Sequence, residues 1–144
     1  MLVACLVVRS VGLAHNLKYR VLPERLTVCQ LPSEASVPEW ALGGNFFSVT
    51  RNSDELSIVC EESRVPEGVR SERDWAALKL EGPFPFAMTG VLASFAIPLA
   101  DAGISIFALS TFDTDYVLVK RAQLEAATRA LAGAGHIVTS AEGV

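Results

Sequence analysis

The sequence is poor in the residues that usually carry catalysis and metal binding. It has two histidines, His15 and His136, and three cysteines, Cys5, Cys29 and Cys60. No two cysteines stand in a CxxC spacing, so neither a zinc site nor a disulfide framework is expected, and the odd count fits a reducing cytosol. No serine or cysteine has a base and an orienting carboxylate at a recognisable spacing, so no catalytic residue and no cofactor is expected. Lysine and arginine are scattered rather than clustered, and the net charge is −4. That excludes the basic footprint needed for nucleic acid. A long unbroken apolar run is missing as well. "MLVACLVV" has no basic residue before it and stops at Arg9, while the uncharged stretch 82–100 is broken by Pro83, Pro85, Gly90 and Pro98. Neither is expected to span a membrane.

What is present is enough apolar material for a core: half of the 144 residues are hydrophobic and a fifth are charged. That suits one ordinary domain or two very small ones. Residues 1–16 match nothing that follows and are expected to add little to folding. "LKYRVL" and "RLTVCQL" alternate as strands on either side of Pro23-Glu24 and read as a hairpin. "LPSEASVPEWALGG" is a loop with one helical turn around Glu39 to Leu42, stopped by Gly43-Gly44. "NFFSVT" and "ELSIVCE" are strands joined by the turn "RNSD". The charged connection 62–74 is the expected boundary between halves.

From Trp75 the pattern is β-α-β-β-α-β, a ferredoxin-like arrangement with four antiparallel strands and two helices on one face. "WAALKLEG" is its first strand. The steps Met88, Val91, Leu92, Phe95 and Leu99 mark a helix face, with Pro98 loosening the last turn and Gly103 ending it. "ISIFALS" and "DYVLVK" are apolar at nearly every position, as in strands covered on both faces. "RAQLEAATRALAGAG" is an amphipathic helix with Leu124, Ala127 and Leu131 inward, ended by Gly133 and Gly135, and "HIVT" is the last strand.

Sliding the chain by sixty residues lays 37–59 on 97–119 without a gap. Pro38 meets Pro98, Gly43 meets Gly103, Phe47 meets Phe107, Val59 meets Val119, and Glu55 meets Asp115. Prolines and glycines carry most of this weight, because each fixes a backbone requirement. The expected fold class is therefore α+β, with two related ferredoxin-like (βαββαβ) half-domains. Residues 17–74 form the first, abbreviated half, 75–139 the second, and 140–144 a tail. Such halves can cover each other's open sheet surfaces.

Within "ALSTFDTDYVLVK" two aspartates interrupt an apolar run. Asp113 lies in the turn, where Asp commonly serves backbone amides. Asp115 starts a strand, where a carboxylate near a glycine-bearing β–α turn can hold an ammonium group.

"GISIFALSTFDTDYVLVK", preceded by "TGVLASFAIPLADA", resembles the ACT domain. The resemblance is to the branch of aspartate kinase regulatory regions and the cytosolic arginine sensor upstream of the TOR kinase. It spans roughly Leu17 to Val138, and "LSTFDTD" is its most specific part. It implies a non-catalytic regulatory module that binds a small effector, typically an amino acid, between ACT units. The pocket residues it implies are Thr89, Gly90, Ser94 and Phe95 from the first β–α turn and helix, with Ser110, Thr111 and Asp115 from the end of the second strand. Where the arginine sensor has an acidic residue at a helix start, this chain has "FAMTG". Met88 offers no charge there, so a smaller or apolar amino acid is as suitable as arginine. A homodimer would restore the paired units of the longer sensor. The expectation is a cytoplasmic homodimer that passes its signal to another, unidentified protein and binds no nucleic acid, membrane or metal. The alternative is a structural dimerisation module without a ligand.

Overall fold

A computed structural model of the chain describes residues 15–139. In order, the elements are strands β1 (Lys18–Val21), β2 (Leu26–Leu31), β3 (Phe47–Arg51), β4 (Leu56–Glu61) and β5 (Ser71–Leu80). Helix α1 (Val91–Asp101), β6 (Phe107–Ser110), β7 (Asp115–Lys120), α2 (Leu124–Gly133) and β8 (Ile137–Val138) follow. The described residues fall into two compact units, 23–77 and 15–22 with 78–139. The chain thus passes from one unit to the other inside β5, after the charged connection. Most of the N-terminal extension expected at 1–16, and the tail 140–144, lie outside the described residues.

The unit 23–77 is a small antiparallel sheet in the order β3-β4-β2-β5. Its core is Cys29, Ala41, Leu56, Ile58 and Cys60, with Leu31, Val37, Trp40 and Val49 packed against it. No α-helix occurs among its described residues. Single 3-10 turns at Glu39–Ala41 and Glu62–Arg64 stand instead, so this half is abbreviated as the repeat implied. The turn after β3 is built by Asn52, whose side-chain oxygen accepts the amides of Asp54 (2.8 Å) and Glu55 (2.9 Å). The hydrogen bond to Cys29, together with burial, pushes the Cys60 thiol up.

The other unit holds the β5-α1-β6-β7-α2-β8 succession, with one change from the expected topology. β1 lies between β5 and β8, antiparallel to the first and parallel to the second. The hairpin expected of β1 and β2 is therefore not formed. β2 pairs with β4 along its whole length and with β5 at Ser71, Glu72 and Trp75, whereas β1 takes Leu78, Lys79 and Leu80. A ten-residue β5 offers room for both partners, and Pro23-Glu24 lacks the left-handed residues that a tight hairpin demands. Alternation identifies a strand but not its neighbour.

The core of this unit is Leu17, Tyr19, Leu78, Leu80, Phe95, Leu99, Val117, Val119, Ala127 and Leu131, together with Val91 and Ile104. Tyr19 meets Phe95 edge-on at 5.1 Å. Both helices end alike. Gly103 (φ 75°) and Gly135 (φ 92°) adopt left-handed backbone. The amides of Ile104 and His136 then reach back to Leu99 and Leu131 at 2.9 and 3.0 Å, the double-bonded C-terminal cap that only glycine enters without strain. Pro98 costs α1 one donor, and its last turn tightens through Gly103 N–H to Ala100 C=O (3.0 Å). β7 buries Val117, Leu118 and Val119 in succession, as expected of a strand covered on both faces. β6 does not. Among the described strands it pairs with β7, and Ala108 and Ser110 are exposed while Phe107 and Leu109 are half-buried.

Candidate functional site

Two loops of the 78–139 unit face each other. The first, 81–90, leaves β5 through a cis Gly82-Pro83 bond and enters α1 at Gly90, whose φ of 80° suits glycine alone. The second is the β6–β7 turn. It is closed by Thr111 N–H to Thr114 C=O (2.8 Å) and anchored by the Thr114 hydroxyl, which donates to Leu80 C=O at 2.7 Å. Phe84 N–H donates to Asp113 C=O across the gap at 2.9 Å. A Cβ on Gly82 would stand 2.7 Å from that same carbonyl, so the close approach of the loops requires glycine there.

Between the loops is a cleft of ≈ 190 Å³. Phe84, Pro85, Phe86, Met88 and Val91 make one wall, and residues 110–115 make the other. Among the described residues Asp113 and Asp115 are its charged lining residues, so it is an acidic cleft with an apolar wall. Asp115 Oδ1 accepts a 2.6 Å hydrogen bond from the Ser110 hydroxyl. The two residues face each other across the β6–β7 ladder. The repeat alignment had paired Asp115 with Glu55, yet Glu55 lies in its turn while Thr50 faces Ser57. The second hairpin is shifted by two residues, and that shift brings the acid opposite a hydroxyl.

Ser110, Thr111 and Asp115 thus line one cleft. The other residues expected at the site are placed differently. Phe95 is fully buried in the core. Ser94 is buried, its hydroxyl accepting His15 N–H (3.3 Å) and its carbonyl accepting Nε2–H of His136 (2.8 Å). The Thr89 carbonyl lies 2.8 Å from His15 Nε2. Gly90 stands at the N-cap of α1 and, as glycine, brings no side-chain cap of its own. Thr89, Ser94 and Phe95 are therefore not among the described residues that line the cleft. Sequence reasoning missed Phe84, Phe86 and Phe112 as lining residues. Their signal was a run of aromatics between prolines, "GPFPF", and one aromatic inside an otherwise polar turn.

A larger cleft of ≈ 480 Å³ lies in the 23–77 unit, lined by Arg25, Glu61, Glu62, Ser63 and Arg73. Its charges already hold the fold together. Arg25 pairs with Asp74 at 2.5 Å, Glu61 accepts Asn45 N–H at 2.6 Å, and Glu62 accepts Asp74 N–H at 2.8 Å. Occupied donors and acceptors make a poorer site than the aspartate cleft. Among the described residues no group of three or more His, Cys, Asp or Glu is placed to hold a metal ion, and no helix is long and apolar enough to cross a membrane.

The chain is similar to several known proteins. Residues 70–133 match the family model of the ACT domain, and residues 24–68 match a second model described as an N-terminal domain. A crystal structure of a protein from Agrobacterium tumefaciens is 42% identical, with a TM-score of 0.83 over 88% of this chain and 94% of that one. The cytosolic arginine sensor for mTORC1 subunit 1 of Bos taurus is 29% identical over 98 residues, 60% of this chain. The chain spans 30% of that relative's length and 61% of a human one's. The regulatory subunit of aspartate kinase from Thermus thermophilus shares the fold, with a TM-score of 0.59 at 14% identity over 81% of this chain and 96% of that one.

Proposed function

We propose a function from one premise: this chain is an ACT-domain protein of the branch that holds aspartate kinase regulatory subunits and cytosolic arginine-sensor proteins. It is a regulatory module that does no chemistry of its own and binds a small effector, an amino acid. The observation that carries this reading is the cleft that joins Ser110, Thr111 and Asp115 to the start of α1 at Val91. A zwitterion matches both ends. Its ammonium group pairs with Asp115 in a charge-assisted hydrogen bond, and its carboxylate meets the first-turn amides, which have no partner inside the helix. Thr89 and Gly90 shape that turn, and Ser94 and Phe95 fix the helix beneath it.

The module works as a cytoplasmic homodimer that hands its signal to a separate regulated protein. This chain spans 30% of the length of the arginine-sensor relative, and a second copy related by two-fold symmetry would supply a further pair of units. Light scattering that returned the monomer mass of 15.4 kDa at micromolar concentration would contradict this. A thermal-shift screen against the twenty amino acids tests the function itself. Ligand at a hundred times its Kd adds about 2.7 kcal/mol of stability. A chain that melts at one temperature in all twenty is a scaffold rather than a sensor.

A further inference from the structure

Phe86 and Phe112 are the two most exposed large hydrophobic residues described, at 76% and 79%. A single exposed phenylalanine is ordinary on a protein surface. These two are not independent. They come from opposite walls of the acidic cleft and meet edge-to-face, with ring centroids 4.8 Å apart and planes at 87°. Phe84, Met88 and Val91 continue the same apolar wall inward. Where Phe95 and Tyr19 make a similar ring contact they are buried in the core. Phe86 and Phe112 make theirs in water.

We infer that the effector is an amino acid with a large apolar side chain, aromatic or branched aliphatic, and that Phe86 and Phe112 select it by closing over that side chain. The inference rests on the amino-acid reading above and adds the ligand class. Three observations fix it. First, the cleft of ≈ 190 Å³ is smaller than the roughly 300–1,000 Å³ of sites for drug-sized ligands, which suits a ligand of amino-acid size. Second, the charges among its described lining residues are Asp113 and Asp115, which draw in an ammonium group and repel an acidic side chain. Third, Phe112 lies inside the β6–β7 turn and Asp115 begins β7 directly after it. A ligand held at Asp115 by its ammonium therefore lays its side chain along Phe112 toward Phe86 and Met88. A guanidinium carried toward Phe86 and Met88 would lie against a wall that offers it no acid. A methyl group would leave both rings in water.

Titration calorimetry on the full chain with phenylalanine, leucine, alanine, arginine and aspartate tests this. Phenylalanine or leucine should bind at least about tenfold more tightly than alanine, the worth of burying one large side chain, and aspartate should not bind. Phe86→Ala and Phe112→Ala should each bring the large and small ligands to within about twofold of each other. Because both rings are exposed, neither change should alter the unliganded melting temperature. Arginine or alanine binding as tightly as phenylalanine would overturn the inference and leave the amino-acid reading standing. So would a preference that survives both substitutions. If the substitutions change the oligomeric mass and not the selectivity, the rings belong to contact with a second copy, and the inference fails. Binding of none of the five would overturn it, and silence toward all twenty amino acids would remove the functional reading as well.

Discussion

Asp113 and Asp115 lie two residues apart in one turn and contribute different atoms. Asp113 gives its main chain: its carbonyl takes Phe84 N–H and stitches the cleft walls together. Asp115 gives its carboxylate, oriented by the Ser110 hydroxyl at 2.6 Å. Asp115→Asn keeps the shape and removes the charge, so amino-acid affinity should fall about ten- to a hundredfold, the value of a hydrogen bond to a charged group. Asp113→Asn preserves the carbonyl and should change affinity far less. Calorimetry on both variants separates the roles, and equal binding by Asp115→Asn and the parent chain would leave both aspartates as turn residues. At this scale the sequence was partly legible. "LSTFDTD" brought Ser110, Thr111 and Asp115 to one place because a tight turn leaves them nowhere else to go. Phe95 and Ser94 were harder to read. Their spacing marks a helix face, but spacing does not say whether that face meets a ligand, a strand or the two histidines. Phe86 and Phe112 were harder still, since an aromatic residue in a sequence reads as core until the fold leaves it outside.

His136 ties three elements together. Leu17 N–H donates to its Nδ1 at 3.1 Å, so the proton sits on Nε2, which donates to Ser94 C=O at 2.8 Å. The neutral ring thereby fastens the start of β1 and the middle of α1 to the cap of α2. It also packs beside Phe95 at 5.4 Å. His136→Phe fills the space but leaves a buried amide and a buried carbonyl without partners. That should cost about 1–3 kcal/mol, read as a lower urea midpoint at unchanged slope. A midpoint equal to the parent's would mean that water or a neighbour replaces the ring. Helices, caps and strands were visible in the sequence because periodicity, Gly103 and Gly135 are local signals. The insertion of β1 between β5 and β8 was not, because strand pairing over such separations leaves no trace in alternation. The exposure of Ala108 and Ser110 in β6 was hidden for a related reason: composition reports how apolar a strand is, not which of its residues are covered.

For the whole molecule, the account assigns the two units unequal parts. The unit 23–77 is a sheet whose surface charges hold one another, and the unit completed by residues 78–139 carries the acidic cleft, α1 and the exposed phenylalanines. Among the described residues the first unit has strands and 3-10 turns, and both α-helices belong to the second. The central claim is that an amino acid binds between the 81–90 loop and the β6–β7 turn. The most direct test is a nuclear magnetic resonance titration of the isotopically labelled full chain with the amino acid that most raises its melting temperature. The account predicts amide shift changes concentrated in residues 84–91 and 110–115, saturating with ligand. Changes centred instead on residues 23–77, or none with any amino acid, would contradict it.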